Sequence, residues 1–406
     1  MSSGAIGLSE KKAQFEHPRQ RNILVSRSSS ASIRGKAAIV GVGTTRQGEH
    51  PGRSAEEIGV EALQLALADA GIGKTAIDGL ITCKTSEGFG VDTAYGSLLG
   101  IDPAYSASLD YGTCNFSLHL AVMAIAAGLA TTVALIYGCN QRTHRVRFTS
   151  TANPAVDFTL PYGYLHMGGP YAMAFRRHQH LYGTTEQQLG HVAVVQREYA
   201  RLNPLAIFRE PLTIDDYMAS PYLIAPLRRH DMTMISDGGA ALIVTAAERA
   251  RDFKPAPVYV LGMAEHAGLA ASEIEDNVMR PWLETVATRL YESAGVERSD
   301  VDVLYIQDPF SFYVLTMLES FGFCGPGESG PFVQEGRTRL GGELPVNTNG
   351  GHLSEAYMWG WLHLCEAVRQ LRGECGARQV AGAKIAQYCS AMANQKGAAS
   401  ILGVEP

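Results

Sequence analysis

Apolar positions along the chain alternate between short continuous runs and stretches at helical spacing. After Lys36 the run Ala37-Ala38-Ile39-Val40-Gly41-Val42-Gly43 predicts a buried strand closed by glycines. From Ser54 through Ala70 apolar residues recur at helical spacing, which predicts a helix. The segment that follows is used twice. Ala70-Gly71-Ile72 and then Ile77-Asp78-Gly79-Leu80-Ile81 are echoed, with identical internal spacing, by Ala294-Gly295-Val296 and Val301-Asp302-Val303-Leu304-Tyr305. Each copy is preceded by a strand (Ala38 to Gly43; Val258 to Met263) and a helix (Ser54 to Leu67; Ser272 to Ser293). Each is followed by a helix closed at glycine and another strand: Leu118 to Gly128 then Val133 to Tyr137, and Ala356 to Gly373 then Val380 to Tyr388. The pattern predicts a duplicated α/β fold, two similar halves with mixed, mostly parallel sheets between helical layers.

These halves span residues 36–255 and 256–406. Ahead of them, residues 1–35 lack apolar periodicity and end in Arg27-Ser28-Ser29-Ser30-Ala31-Ser32, which reads as a mobile or partner-wrapping tail; its arginines also fit an organelle transit peptide. The stretch 141–212 carries Pro154, Pro161, Gly168-Gly169-Pro170 and many aromatics, and reads either as an inserted cap over the first half or as a long connection without a binding role.

Composition narrows the function classes. A chain of 406 residues, 46% hydrophobic and 18% charged, can bury one large core or two medium ones. A net charge of -6 with no long basic run argues against nucleic acid or an anionic membrane surface as partner. No apolar run is long enough for a membrane span, and Met1-Ser2-Ser3-Gly4 does not begin a secretory signal, so a cytoplasmic location is expected. Seven cysteines without a CxxC pair read as reduced thiols rather than a disulfide framework or zinc cage. His178 and His180 would point to different helix faces, so no metal is expected.

In α/β sheets ligands gather beyond the carboxyl ends of strands. The turns before Leu118, after Ile306 and between Leu344 and Tyr357 are therefore the candidate site. Motifs in and around them carry a resemblance. Asp237-Gly238-Gly239-Ala240-Ala241, Gly325-Pro326-Gly327-Glu328-Ser329-Gly330-Pro331-Phe332, Leu344-Pro345-Val346-Asn347-Thr348-Asn349-Gly350-Gly351 with Leu353-Ser354-Glu355-Ala356-Tyr357, and Glu366-Ala367-Val368-Arg369-Gln370-Leu371-Arg372-Gly373 are similar to the thiolase-like proteins of the sterol-carrier or lipid-transfer type. The resemblance covers nearly everything from Lys36 to Gly403. It implies the two-half thiolase fold, a homodimer, an acyl-CoA or acyl-carrier substrate with coenzyme A as part of that substrate and no other cofactor, and pairing with a small OB-fold and zinc-ribbon protein.

The chemistry departs from that of a thiolase position by position. A thiolase uses a cysteine at a helix N-terminus, where the dipole favours thiolate, as acyl acceptor. Matching the segment back from Gly128 puts Tyr111 on that nucleophile; a slip of three residues would restore one in Cys114, which otherwise reads as a small buried residue at a helix start. The family's second cysteine falls on Ala391, and Cys389 misses it by two. The amide-bearing segment corresponds to Gln307-Asp308-Pro309-Phe310, and the family's histidine falls on Tyr357. A phenol is a poor general base at neutral pH without tuning but a ready proton donor to a developing alkoxide. Tyrosine in a Ser-Glu-Ala-Tyr context resembles the thiolase-like steroid side-chain aldolases, in which the position of Gln307 is usually tyrosine.

The resemblance therefore implies a retro-aldol lyase acting on a β-hydroxyacyl-CoA without a cysteine nucleophile. Tyr357 would be acid and base, Gln307 and loop amides oxyanion donors, with Tyr111 and Cys114 as further catalytic candidates. Asp308, Asn349, Gly350, Gly351 and His352 would bind substrate. A thiolase or acyltransferase working through Cys114 and a non-catalytic lipid-binding or scaffold subunit are the alternatives. Asp237 reads as a turn or cap residue, and His166, His230 and Arg142 as surface or cap residues.

Overall fold

The structure, a computed structural model, describes residues 33–83, 91–110, 114–146, 167–267, 280–392 and 396–406. The expected tail up to residue 32, Tyr111, His166 and the middle of the 141–212 insertion lie outside the described residues.

Among the described residues one large mixed sheet holds nine strands: β1 (Ala37–Thr44), β2 (Gly79–Cys83), β3 (Tyr105–Leu109), β4 (Thr132–Cys139), β5 (Gly238–Ala246), β6 (Val258–Ala267), β7 (Val303–Ile306), β8 (Ile385–Met392) and β9 (Lys396–Gly403). Their order is β3-β2-β4-β5-β1-β6-β9-β8-β7. The sequence repeat reappears as a repeat of pairings. Outward from the β1–β6 junction, the first half runs antiparallel β1/β5, antiparallel β5/β4 and parallel β4/β2. The second runs antiparallel β6/β9, antiparallel β9/β8 and parallel β8/β7. Even β3, parallel to β2, has its echo in a parallel bridge between Leu304 and Val346 beside β7. The fold is thus the duplicated thiolase fold expected. Its sheet is not mostly parallel, however, because β5 and β9 return antiparallel inside each half and the halves themselves meet antiparallel at Ala38/Tyr259 and Ile39/Val258.

The principal helices are α1 (Ala55–Ala70), α2 (Cys114–Ala126), α3 (Gly168–Tyr182), α4 (Glu186–Leu202), α5 (Arg280–Ala294), α6 (Ser311–Ser320) and α7 (Trp361–Arg372). Helix α1 starts where Ser54 and Glu57 form a reciprocal capping box and stops at left-handed Gly71. Its packing on β1 is so close that a Cβ on Gly43 would lie 2.2 Å from the Ala62 carbonyl oxygen. Helices α2 and α7 are buried over nearly all their length and share one core with strands of both halves. No helix among the described residues is long and apolar enough to cross a membrane.

One element differs from expectation. Helix α7 begins at Trp361 rather than Ala356, since Trp359 (φ 50°) and Gly360 (φ 85°) take left-handed backbone that interrupts the periodic run. The described helices of the 141–212 insertion touch residues of both halves: Tyr171 Oη lies 2.6 Å from Tyr313 Oη, His178 Nε2 lies 2.9 Å from Glu319 Oε1 and Asn203 donates to the Asn349 carbonyl at 2.9 Å, while Arg228 Nη2 lies 3.0 Å from Glu186 Oε2.

Candidate active site

The end of β7, the loop 347–355 and the start of α7 converge. Asn347, itself left-handed at φ 53°, accepts from the Ile306 amide at 2.7 Å and returns a bond to the Ile306 carbonyl at 2.9 Å. It acts as one more strand residue and fixes the loop to the sheet edge. Gly350 and Gly351 then turn with φ of 104° and 63°; a Cβ on Gly351 would meet Asp308 Oδ2 at 2.5 Å, so only glycine lets the loop approach that carboxylate.

Asp308 is the hub. Its Oδ1 accepts the His352 backbone amide and the His363 Nε2, each at 2.9 Å, and its Oδ2 accepts the Leu353 amide at 3.3 Å. His352 Nε2 accepts the Gly360 amide at 2.9 Å, which places the proton of a neutral ring on Nδ1, 3.7 Å from Asp308 Oδ1. Burial, with His363 alongside, holds the His352 ring well below the usual imidazole range, so it stays neutral. Asp308, His352 and His363 are close enough together to suggest a cation site. The hydrogen bonding does not fit one: the His352 Nε2 lone pair is already taken by a peptide amide, which leaves a proton, not a lone pair, on the Nδ1 that faces the carboxylate.

Tyr357 lies beside this hub in the non-helical stretch before α7, bridged to Ile235, with its ring edge-on to His352 at 5.1 Å. Gln307 is buried, its amide N–H bonded to the Cys389 carbonyl at 2.9 Å and its side-chain oxygen without a partner. Cys114 opens α2, and its amide reaches the Trp359 carbonyl at 3.3 Å. Burial, with Cys365 and Cys83 nearby, pushes its thiol well up, the opposite of an activated nucleophile. Asn349 donates its side-chain amide to Glu355, and Asn203 does so at 2.8 Å.

The structure thus brings Gln307, Asp308, Asn349, Gly350, Gly351, His352, Tyr357 and Cys114 into one region; Tyr111 lies outside the described residues. Asp237 is a loop organiser, accepting the amides of His50, Arg142 and Thr143. Arg142 pairs with Glu49 at 2.8 Å. Sequence reasoning passed over His363, Glu355 and Tyr388. For His363 the available signal is a polar residue on an apolar buried stretch, between Leu362 and Leu364.

Residues 264–403 match the family model described as thiolase C-terminal domain-like. The chain is 36% identical over 361 residues, 84% of its own length and 92% of the relative's, to a 17-hydroxy-3-oxo-4-pregnene-20-carboxyl-CoA lyase of Mycobacterium tuberculosis. The chain belongs to the thiolase-like family. A steroid side-chain-cleaving aldolase of Thermomonospora curvata is 34% identical to this thiolase-like chain over 358 residues, covering 84% of it and 91% of the aldolase. Among solved structures, the Ltp2-ChsH2(DUF35) aldolase superposes on it with a TM-score of 0.86 at 33% identity, over 92% of this chain and 99% of that one. Human mitochondrial 3-ketoacyl-CoA thiolase, at 15% identity and a TM-score of 0.69, shares the fold. The thiolase-like chain is an enzyme of this fold.

Proposed function

We propose that the protein is a retro-aldol lyase of β-hydroxyacyl-CoA thioesters in which Tyr357 exchanges protons with the substrate and no acyl-enzyme forms. The observation that carries this is Cys114: the cysteine that a three-residue slip would bring to the nucleophile's position is fully buried, with its thiol pushed away from thiolate. Removal of the β-hydroxyl proton breaks the Cα–Cβ bond, leaves its electron pair on Cα as the thioester enolate, and forms the carbonyl product. Reprotonation of Cα then releases the shortened acyl-CoA. Tyr357 serves both transfers, and the Gln307 side-chain amide polarises the thioester oxygen. Coenzyme A enters as part of the substrate. The names of the lyase and aldolase relatives support a steroid-like acyl group.

The assembly we propose is a homodimer in the cytoplasm that pairs with a small OB-fold and zinc-ribbon protein; the two-component title of the similar aldolase structure supports a heteromer. Tyr357→Phe is expected to lower kcat for cleavage by about 10² to 10⁴ with little change in KM, the usual contribution of a positioned acid or base, whereas Cys114→Ala retains turnover. An acyl mass increment on Cys114 after incubation with a short acyl-CoA would overturn the reading.

A further inference from the structure

We propose that His363 and Tyr388 form, on the Asp308 carboxylate, a buried proton relay bridged by one internal water between the His363 Nδ1 and the Tyr388 hydroxyl. The inference deepens the proposed function and rests on it for its kinetic arm. It begins with proton bookkeeping. Asp308 Oδ1 only accepts, so His363 Nε2, 2.9 Å away, carries the ring proton and Nδ1 presents a lone pair. That lone pair is buried and has no partner. The Tyr388 hydroxyl is likewise buried and makes no hydrogen bond of normal geometry, although the Ser390 hydroxyl lies nearby.

A donor without an acceptor and an acceptor without a donor therefore stand on rings whose centroids are 6.0 Å apart. A buried polar group left dry forfeits its hydration without recompense, and native proteins fill such polar gaps with water. Tyr388 Oη is wedged at the start of α7, since a Cβ on Gly360 would lie 1.5 Å from it, and Gly360 is the residue whose amide fixes His352. Burial keeps Tyr388 a phenol, so it can pass a proton but not store a charge. The β-hydroxyl proton, taken up by Tyr357 and passed on to Tyr388 Oη, displaces that oxygen's own proton to the water, which delivers one to His363 Nδ1. The resulting imidazolium rests on Asp308, and reversal of the same steps hands the proton back to Tyr357, which delivers it to Cα. Neither residue is shown against substrate, so both are positioning residues.

The test uses Tyr388→Phe, His363→Gln and their combination in the full-length protein, with thermal melting as the check that each variant folds. Each single change is expected to lower kcat tens of fold, leave KM within about twofold and move the pH profile of kcat. The double variant should be no slower than the slower single, as expected of residues acting as a unit. Without substrate, ¹⁵N spectra of histidine-labelled protein should show His363 protonated at Nε2, with an Nδ1 resonance that moves in Tyr388→Phe. Multiplicative kinetic losses, or an Nδ1 resonance indifferent to Tyr388→Phe, overturn the relay. If wild type cleaves no β-hydroxyacyl-CoA, the proposed function fails and the spectra alone still decide whether the relay exists.

Discussion

Behind the Asn349-Gly350-Gly351 loop, the carboxyl of Glu355 accepts the side-chain amides of Asn349 and Asn203 while wholly buried. Burial first, and the Glu366 carboxylate second, push it up from 4.5 to about 7. Asp231, under Tyr217 and Ser311, is pushed by burial to about 6. In both cases the folded state binds the proton more tightly than the unfolded chain. Their contribution to stability is thus complete below the unfolded values and is lost as pH rises through the folded ones. At 1.36 kcal/mol per unit, the Glu355 shift corresponds to at most about 3 kcal/mol. Urea midpoints are expected to fall between about pH 5 and pH 8. Glu355→Gln, though less stable overall, should fall less steeply; a variant with the wild-type slope would remove Glu355 as the cause. Motif spacing exposed Asp308, Asn349 and His352, because each sits in a glycine-rich or amide-bearing loop. It could not expose the hub: Asp308 meets the His352 amide 44 positions away and the His363 ring 55 positions away, a meeting made by tertiary folding alone.

At the level of elements, apolar residues at helical spacing run without a break from Ala356 through Leu371, so periodicity could not reveal that Trp359 and Gly360 leave the helical region. Helix α2 likewise begins at Cys114, a turn ahead of the apolar stretch that predicted it. The repeat, by contrast, was readable because each half reuses one glycine stop between helix and strand, Gly71 and Gly295, both left-handed. Two glycines of α7 separate backbone freedom from packing. Gly373 closes the helix at φ 76° with nothing near a new Cβ; Gly360 opens it at φ 85° with Tyr388 Oη in the way. Gly373→Ala is expected to lose about 1 kcal/mol, the backbone term alone, and Gly360→Ala about 1–3 kcal/mol more from overpacking. Denaturant melts of the two variants measure the difference. Equal losses would mean that the hydroxyl of Tyr388 is not held against the helix start.

For the whole molecule the open question is what covers the sheet edge at β3. This strand pairs only with β2 among the described strands and leaves its other side unpaired. Its half-buried Tyr105, Ala107 and Leu109 pack on the core, while Ser106 and Ser108 point outward and bond the Asp92 carboxylate at 2.7 and 2.6 Å. An edge without lysine, proline or bulge is a template for another strand, and a second copy laid antiparallel along it would pair both edges by one two-fold axis. The proposed homodimer is therefore expected to join through β3. Light scattering of the chain alone should give twice 43.6 kDa. Ala107→Pro, which removes a backbone donor and stiffens the strand, should return the single mass. The small OB-fold partner would then bind elsewhere, so co-expression should raise turnover without changing the number of copies of this chain. A wild-type monomer would rule out the β3 dimer. A homodimer with the same turnover whether or not the partner is present would make the partner dispensable.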